Sequence, residues 1–245
     1  MKKVNMVYDF DGTLTQVALP RYLILEKCNY EKGTSNERFL NELNRIKEEK
    51  NCEAMEAFYE EFFRILNNNN LEITMNDFCY GVDKIPYNRG LENYFSNINN
   101  WAKQNDIELN HFILTSGVKD FVENCKYAKY FKEVFGCTFK IENDKIAGID
   151  YYLSTKEKIN KLELLQENPN TRADETIYVG DGLTDYYAMK HIHGNGGKTI
   201  FVHQNENDLD IYNEVNKENI VDYCEIADYD ENTNLYKSIM NAIKN

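Results

Sequence analysis

The stretch MVYDFDGTLT, residues 6–15, places two aspartates one residue apart directly after an apolar run. Alternate side chains of a strand share a face, and Gly12 permits a sharp turn, so Asp9 and Asp11 are predicted at the carboxyl end of a strand. Ligands bind at that edge of an open α/β sheet. Two carboxylates about 5 Å apart repel by roughly 3 kcal/mol at an effective dielectric near 20. The pattern therefore predicts a proton or a cation beside them.

A second acidic pair occurs in YVGDGLTDYYAM, where Asp181 ends an apolar run and Asp185 follows four residues later. One interpretation is structural, because an aspartate in the first turn of a helix beginning near Leu183 interacts favourably with the helix dipole. The other interpretation is a shared site, since Asp9 and Asp11 end another strand in the same way. Four carboxylates at one sheet edge require a divalent cation, and hard oxygen ligands suit Mg²⁺. We expect magnesium on the second interpretation.

Alternating strands and helices are predicted after Pro86, an order that favours a parallel sheet covered by helices. Strands are predicted over 3–9, 111–116, 176–181 and 198–203, a strand pair over 133–152 with its turn near Asn143 and Asp144, and helices over 118–131, 156–168 and 183–192. The first strand must join the later ones, because a lone strand cannot bury its apolar faces. The predicted fold class is α/β with one mainly parallel sheet.

The intervening segment is predicted to be helical. Apolar side chains recur at helical spacing in residues 52–66, a second helix is predicted over 36–50 with Asn36 as its N-cap, and Thr74 with Asp77 resembles a capping box. We therefore expect a helical domain over residues 18–85, inserted into a core formed by residues 1–17 and 86–245. Such insertions act as lids that exclude water and select substrate.

Composition limits the possible partners. A net charge of −13 opposes binding to nucleic acid or an anionic membrane. The chain contains no apolar run of the roughly 18 residues that a membrane span needs, and its first apolar stretch breaks at Asp9, too early for a signal peptide. The six cysteines include no C-x-x-C pair and are predicted to be reduced thiols. We expect a cytoplasmic monomer or homodimer.

The segments DFDGTLT, ILTSG, Lys156 and GDGLTD resemble, in order and context, the four motifs of the haloacid dehalogenase-like phosphohydrolase superfamily. The chain is most similar to the phosphoserine phosphatase-like members, in which a helical cap lies between the first and second motifs. The resemblance implies a Rossmann-like three-layer core with an inserted α-helical cap domain.

The resemblance also implies roles for individual residues. Asp9 corresponds to the nucleophile that becomes an aspartyl-phosphate, and Asp11 to the general acid and base. Ser116 corresponds to the hydroxyl that binds the phosphoryl group, with the Gly117 amide as a second donor. Lys156 corresponds to the lysine of the third motif and is preferred over Lys158, because Ile159 then falls where related members place an isoleucine.

The same resemblance implies Mg²⁺ as the cofactor. Its expected ligands are Asp9, the backbone carbonyl of Asp11, and Asp181, with Asp185 bound either directly or through water. The implied function is Mg²⁺-dependent hydrolysis of a small phosphorylated metabolite. Two alternatives remain open at the level of sequence: a phosphotransferase or sugar-phosphate mutase that uses the same residues, and a non-catalytic binding protein of the same fold.

The identity of the substrate is not implied. Phosphoserine phosphatases carry an acidic residue shortly after the first motif, whereas TLTQVALPRYLILE has Gln16 near its start and its only acidic residue, Glu26, at its end. This departure argues against phosphoserine specifically.

Overall fold

The structure is a computed structural model that describes residues 1–17, 34–82, 84–166, 172–205 and 209–245. The described strands are β1 (Lys2–Tyr8), β2 (Ile107–Val118), β3 (Phe131–Glu142), β4 (Lys145–Tyr151), β5 (Thr176–Gly180), β6 (Lys198–His203) and β7 (Tyr223–Ile226). The described helices of the predicted insertion, residues 18–85, are α1 (Thr34–Lys50), α2 (Ala54–Asn68) and α3 (Met75–Val82). Those that follow are α4 (Leu91–Gln104), α5 (Lys119–Asn124), α6 (Thr155–Gln166), α7 (Tyr186–Gly194), α8 (Leu209–Val215) and α9 (Asn234–Lys244).

The strands form one sheet in the order β4-β3-β2-β1-β5-β6-β7, in which only the β3–β4 pair is antiparallel. The first strand lies at the centre, between β2 and β5, as its apolar sequence requires. The predicted α/β fold class is therefore confirmed. The predicted turn of the β3–β4 hairpin is also found, with Asn143 and Asp144 at φ 50° and 63°, a left-handed conformation that these residue types tolerate.

Helices cover both faces of the sheet, which gives the three layers expected of this fold. Side chains alternate along β1: the Tyr8 hydroxyl lies 2.8 Å from the Tyr94 hydroxyl of α4, whereas Asn5 lines a cavity on the other face with Leu164 and Leu165 of α6. No helix in the described ranges is both long and apolar enough to cross a membrane.

The described chain before and after the predicted insertion is paired by backbone hydrogen bonds. The Gln16 amide donates to the Pro86 carbonyl at 2.8 Å and the Asn88 amide donates to the Leu14 carbonyl at 3.0 Å, so the outgoing and returning chain run side by side. Helix α1 begins at Thr34, so the prediction that Asn36 is its N-cap is wrong. Glu26 lies outside the described residues.

Helices α4 and α5 differ from the sequence-based expectation. The helix predicted over 118–131 is only α5 and a short 3-10 turn at Ala128–Tyr130, because the chain from Phe131 pairs with β2 and its backbone is committed to the sheet. Helix α4 was not predicted, although its buried residues recur at helical spacing: Leu91, Tyr94, Phe95, Ile98 and Ala102.

Candidate active site

The first and last acidic motifs meet at the carboxyl edge of the sheet. Residues 5–8 of β1 pair with residues 176–179 of β5, and the Asp9 amide donates to the Val179 carbonyl at 2.9 Å. Asp9 and Asp181 therefore leave adjacent strands side by side. Carboxylate oxygens of Asp9, Asp181 and Asp185 all lie within 4.8 Å of one another.

The turn after β1 brings the chain back against Asp181. Gly12 has φ +87°, and a Cβ atom at this position would lie 2.1 Å from Oδ2 of Asp181. The Thr13 hydroxyl donates to Oδ1 of the same carboxylate at 2.9 Å. The glycine of DFDG therefore provides both the left-handed turn and the space that the second acidic motif occupies.

The second motif meets the first through Asp11 and Gly117. A Cβ atom on Gly117 would lie 2.6 Å from Oδ2 of Asp11, so the absent side chain makes room for that carboxylate. The Gly117 amide donates to the Thr115 hydroxyl at 2.9 Å, and its role as a phosphate donor stays a prediction. Ser116 is buried beside them, and its backbone carbonyl accepts hydrogen bonds from the Tyr59 hydroxyl at 3.1 Å and the Cys137 thiol at 3.2 Å.

The lysine at this site is Lys158, and the prediction of Lys156 is corrected. The Lys158 ammonium is fully buried, 3.0 Å from Oδ1 of Asp185 and 3.4 Å from Oδ1 of Asp9, whereas the Lys156 side chain is exposed. Two residues on a helix point about 200° apart, so only one of these lysines can face inward.

A local signal in the sequence could have identified the correct lysine. Ser154 and Glu157 form a capping box: the Ser154 amide donates to Oε2 of Glu157 at 3.0 Å, and the Glu157 amide donates to the Ser154 hydroxyl at 3.2 Å. This pattern fixes the first turn of α6. Lys158 then lies four residues before the buried Leu162, on the same helix face.

Asp185 holds the lysine and the turn after β5. Its Oδ1 accepts hydrogen bonds from Lys158 and, at 2.7 Å, from the Tyr178 hydroxyl, while its Oδ2 accepts from the Asp181 and Gly182 amides at 3.2 Å each. These contacts use the roughly four lone-pair positions of a carboxylate. Asp185 therefore suits a positioning role better than direct metal binding. Tyr178 was not predicted from sequence, where it reads as an ordinary strand tyrosine.

The acidic residues strongly affect one another. Burial raises the pKa of Asp9 to about 7, Lys158 opposes this shift, and Asp185 and Asp11 add to it. Burial, together with Asp9 and Asp185, also raises the pKa of Asp181 well above its ordinary value. Burial alone would lower the pKa of Lys158, but the attraction of Asp185 and Asp9 outweighs it and raises that pKa. The site thus combines one ammonium with a larger number of carboxylates. Their oxygens are the kind of ligand that a hard divalent cation prefers.

Gly12→Ala tests how closely the two acidic motifs pack. The new methyl group collides with Asp181 in an unfavourable left-handed conformation, so we expect a loss of about 1–3 kcal/mol in the free energy of unfolding and loss of site activity. Gly196→Ala is the matched control: Gly196 also has a positive φ, +86°, but its nearest neighbour is Cβ of Asp174 at 3.4 Å. Chemical denaturation of both variants measures the difference, and equal effects in the two would contradict this account.

The profile of the haloacid dehalogenase-like hydrolase family matches residues 6–190. Comparison with curated protein sequences found no significant match.

Several solved structures share the fold. A substrate-bound phosphoserine phosphatase is 16% identical with a TM-score of 0.68, over 99% of each chain. A phospho-aspartyl intermediate analogue of phosphoserine phosphatase is 16% identical with a TM-score of 0.67, over 98% of this chain and 99% of that one. The phosphoserine phosphatase from T. onnurineus is 16% identical with a TM-score of 0.60, over 98% of this chain and 96% of the other.

Proposed function

The chain belongs to the haloacid dehalogenase-like hydrolase family, and from that premise we propose that it is a Mg²⁺-dependent phosphatase acting on a small phosphate monoester. The observation that carries the proposal is the position of Lys158, whose ammonium lies 3.4 Å from Asp9 and 3.0 Å from Asp185. This contact joins three motif segments that are far apart in sequence. Asp11 beside Gly117 adds the remaining segment.

The cofactor follows from the charge at the site. Asp9 and Asp181 are the side chains that would hold Mg²⁺, together with the Asp11 backbone carbonyl expected from the family resemblance, and Asp185 would act from behind Lys158 or through water. When bound, Mg²⁺ neutralises negative charge on the carboxylates and on the phosphoryl oxygens.

The covalent step is assigned to Asp9. Its carboxylate attacks phosphorus, the bond from phosphorus to the leaving oxygen breaks, and an aspartyl-phosphate forms. Asp11 gives its proton to the leaving alkoxide. It then removes a proton from the water molecule that attacks the aspartyl-phosphate, which releases phosphate and restores the Asp9 carboxylate.

The remaining residues bind and orient the phosphoryl group. Lys158 offsets the charge that gathers on the phosphoryl oxygens and the nucleophile. Ser116, near the end of β2, supplies a hydroxyl. The Tyr59 hydroxyl and the Cys137 thiol donate to the Ser116 backbone carbonyl and hold this end of the strand in place. We propose that Gly117 leaves space for the Asp11 carboxylate and that its backbone amide is a second donor to the phosphoryl group.

We further propose that residues 18–85 form a cap over a core of residues 1–17 and 86–245. The side-by-side connections at Gln16 and Asn88 support these boundaries. The contact of Tyr59 with Ser116 supports closure over the site. A closed, largely buried site favours a small substrate. Phosphoserine is the first compound to assay, because the similar solved structures are phosphoserine phosphatases, despite the missing acidic residue near Gln16.

A phosphatase assay tests the proposal directly. Purified protein is incubated with phosphoserine and a panel of other phosphorylated metabolites, with Mg²⁺ or with a chelator, and released phosphate is measured. Mg²⁺-dependent release supports hydrolysis, whereas phosphate recovered on a second hydroxyl compound indicates the phosphotransferase or mutase alternative. Absence of any turnover across the panel supports a non-catalytic binding protein. A cytoplasmic location and a monomeric or homodimeric state stay predictions from sequence.

Addition of Mg²⁺ to the metal-free protein is expected to raise its thermal stability more at pH 8 than at pH 5. The pKa of Asp9 is about 7 in the folded chain and about 4 when unfolded, so protonation stabilises the fold at low pH and this contribution is lost as pH rises through about 7. At pH 5 protons compete with the cation, whereas at pH 8 the cation relieves repulsion between carboxylates. A free Mg²⁺ concentration of 100 times Kd would add about 2.7 kcal/mol.

Thermal unfolding with and without Mg²⁺ at both pH values measures this effect. Asp181→Asn is the comparison variant and should lose most of the Mg²⁺ response at pH 8. An equal or larger Mg²⁺ shift at pH 5 would count against metal binding by these carboxylates.

A further inference from the structure

Helix α2 of the insertion contacts two of the segments that carry site residues. Tyr59 donates from this helix to the Ser116 carbonyl at 3.1 Å. Glu53, the residue before the helix, reaches the start of α6: its Oε2 accepts hydrogen bonds from the Thr155 amide and the Thr155 hydroxyl, each at 3.0 Å. Neither contact could be predicted from the sequence, because residues 59 and 116, like residues 53 and 155, are far apart along the chain.

Glu53 supplies a hydrogen-bond acceptor that the residues around the start of α6 do not provide for the Thr155 amide. The first amides of a helix lack intrahelical acceptors, and a carboxylate near them is favourable. Ser154 and Glu157 satisfy each other's amides, and Glu53 supplies the acceptor for the Thr155 amide between them. The Glu53 side chain makes no capping hydrogen bond to α2, its own helix. Its carboxylate therefore caps α6 and not α2.

The turn held in this way is the one that carries the site lysine. The Lys158 amide donates to the Ser154 carbonyl at 3.0 Å, closing the first turn of α6, and the Lys158 ammonium extends from that turn to Asp9 and Asp185. Fraying or rotation of this turn would move the ammonium relative to the reacting carboxylate. Displacements of about 1 Å at such groups can reduce rates about 100-fold.

We propose that Glu53 is a positioning residue that couples docking of the helical insertion to the placement of the Lys158 ammonium. When the insertion docks, Glu53 fixes the first turn of α6 and the ammonium takes its place beside Asp9. When the insertion moves away, the Thr155 amide loses its acceptor and the lysine is less well held. The inference rests on the proposed phosphatase function, in which substrate must enter and leave beneath the insertion.

A second docking contact provides the control. Glu72 of the insertion forms an ion pair with Lys145 of β4 at 2.6 Å, and the Ile146 amide of the same strand donates to the Ile73 carbonyl at 2.9 Å. These contacts hold the insertion against the core at the start of β4 and involve none of the residues of the first turn of α6. Glu72→Ala therefore removes a docking carboxylate without touching the helix that carries Lys158.

The experiment compares Glu53→Ala, Glu53→Gln and Glu72→Ala with the wild type in steady-state kinetics. We expect Glu53→Ala to lower kcat about 10-fold to 100-fold with little change in KM. Glu53→Gln keeps an acceptor oxygen and should recover most of that loss. Glu72→Ala should retain wild-type kcat. Hydrogen exchange of metal-free, substrate-free protein gives a readout independent of activity: the amides of residues 155–158 should exchange faster in Glu53→Ala than in Glu72→Ala.

The outcomes separate this inference from the proposed function. An inactive wild type would end the phosphatase proposal, while hydrogen exchange would still test the contact between Glu53 and α6. An active wild type with unchanged kcat in Glu53→Ala, or equal losses in Glu53→Ala and Glu72→Ala, would overturn the positioning role. If Glu53→Ala does not fold, Thr155→Val takes its place, because it removes the hydroxyl that donates to Glu53, and unchanged kcat and unchanged hydrogen exchange in that variant overturn the inference.

Discussion

Asp9→Asn is expected to abolish phosphatase activity, with a loss in kcat of about 10³-fold or more, as for other enzymes that lose a covalent nucleophile. The asparagine side chain has the shape of the aspartate side chain, and its oxygen can still accept a hydrogen bond from Lys158, but this neutral oxygen cannot attack phosphorus effectively. The substitution also removes one of the negative charges expected to hold Mg²⁺. Released phosphate measured with excess Mg²⁺ and substrate gives the rate.

The same variant should fold at least as stably as the wild type in the absence of metal at pH 8. Burial and the nearby carboxylates raise the pKa of Asp9 to about 7, so an ionised Asp9 destabilises the metal-free fold above that pH. Asp144→Asn is the matched control, because Asp144 is exposed in the β3–β4 turn at φ 63°, where asparagine fits well. Substantial activity in Asp9→Asn, or a comparable loss in Asp144→Asn, would overturn the nucleophile assignment.

Lys158→Met is expected to lower kcat by about 10²–10³-fold, the range found when an electrostatic donor to a developing charge is removed. Methionine keeps much of the apolar stem and so limits the loss of packing, but it leaves Asp9 and Asp185 without the ammonium that contacts both. Lys156→Met at the neighbouring exposed position should stay within about 0.5 kcal/mol of wild-type stability and near wild-type kcat.

Steady-state kinetics of the two lysine variants, with thermal unfolding as a check on folding, decides between the two positions. A larger loss in Lys156→Met than in Lys158→Met would restore the assignment made from sequence alone. Equal and small losses would show that neither ammonium stabilises the transition state.

Local sequence was sufficient for the elements whose signals are local. The β3–β4 hairpin was predicted because Asn143 and Asp144 mark the turn, and β1 and β5 were predicted from apolar runs that end in acidic residues. Helix α4 was missed although Leu91, Tyr94 and Ile98 carry a helical spacing. The helix predicted over 118–131 failed for a different reason, since pairing of Phe131 with β2 is a tertiary contact that overrides local helical preference.

The amino-acid sequence by itself determined the family and the chemical types at the site: two acidic pairs after apolar strands, a serine after another and a lysine at the start of a helix. Tertiary structure alone decided which atoms meet. It selected Lys158 over Lys156, filled the hydrogen-bonding positions of Asp185, and brought Glu53 to the helix that carries the lysine. The reason is physical: backbone patterns are set by neighbours within a few residues, whereas burial, charge pairing and pKa depend on segments that only folding brings together.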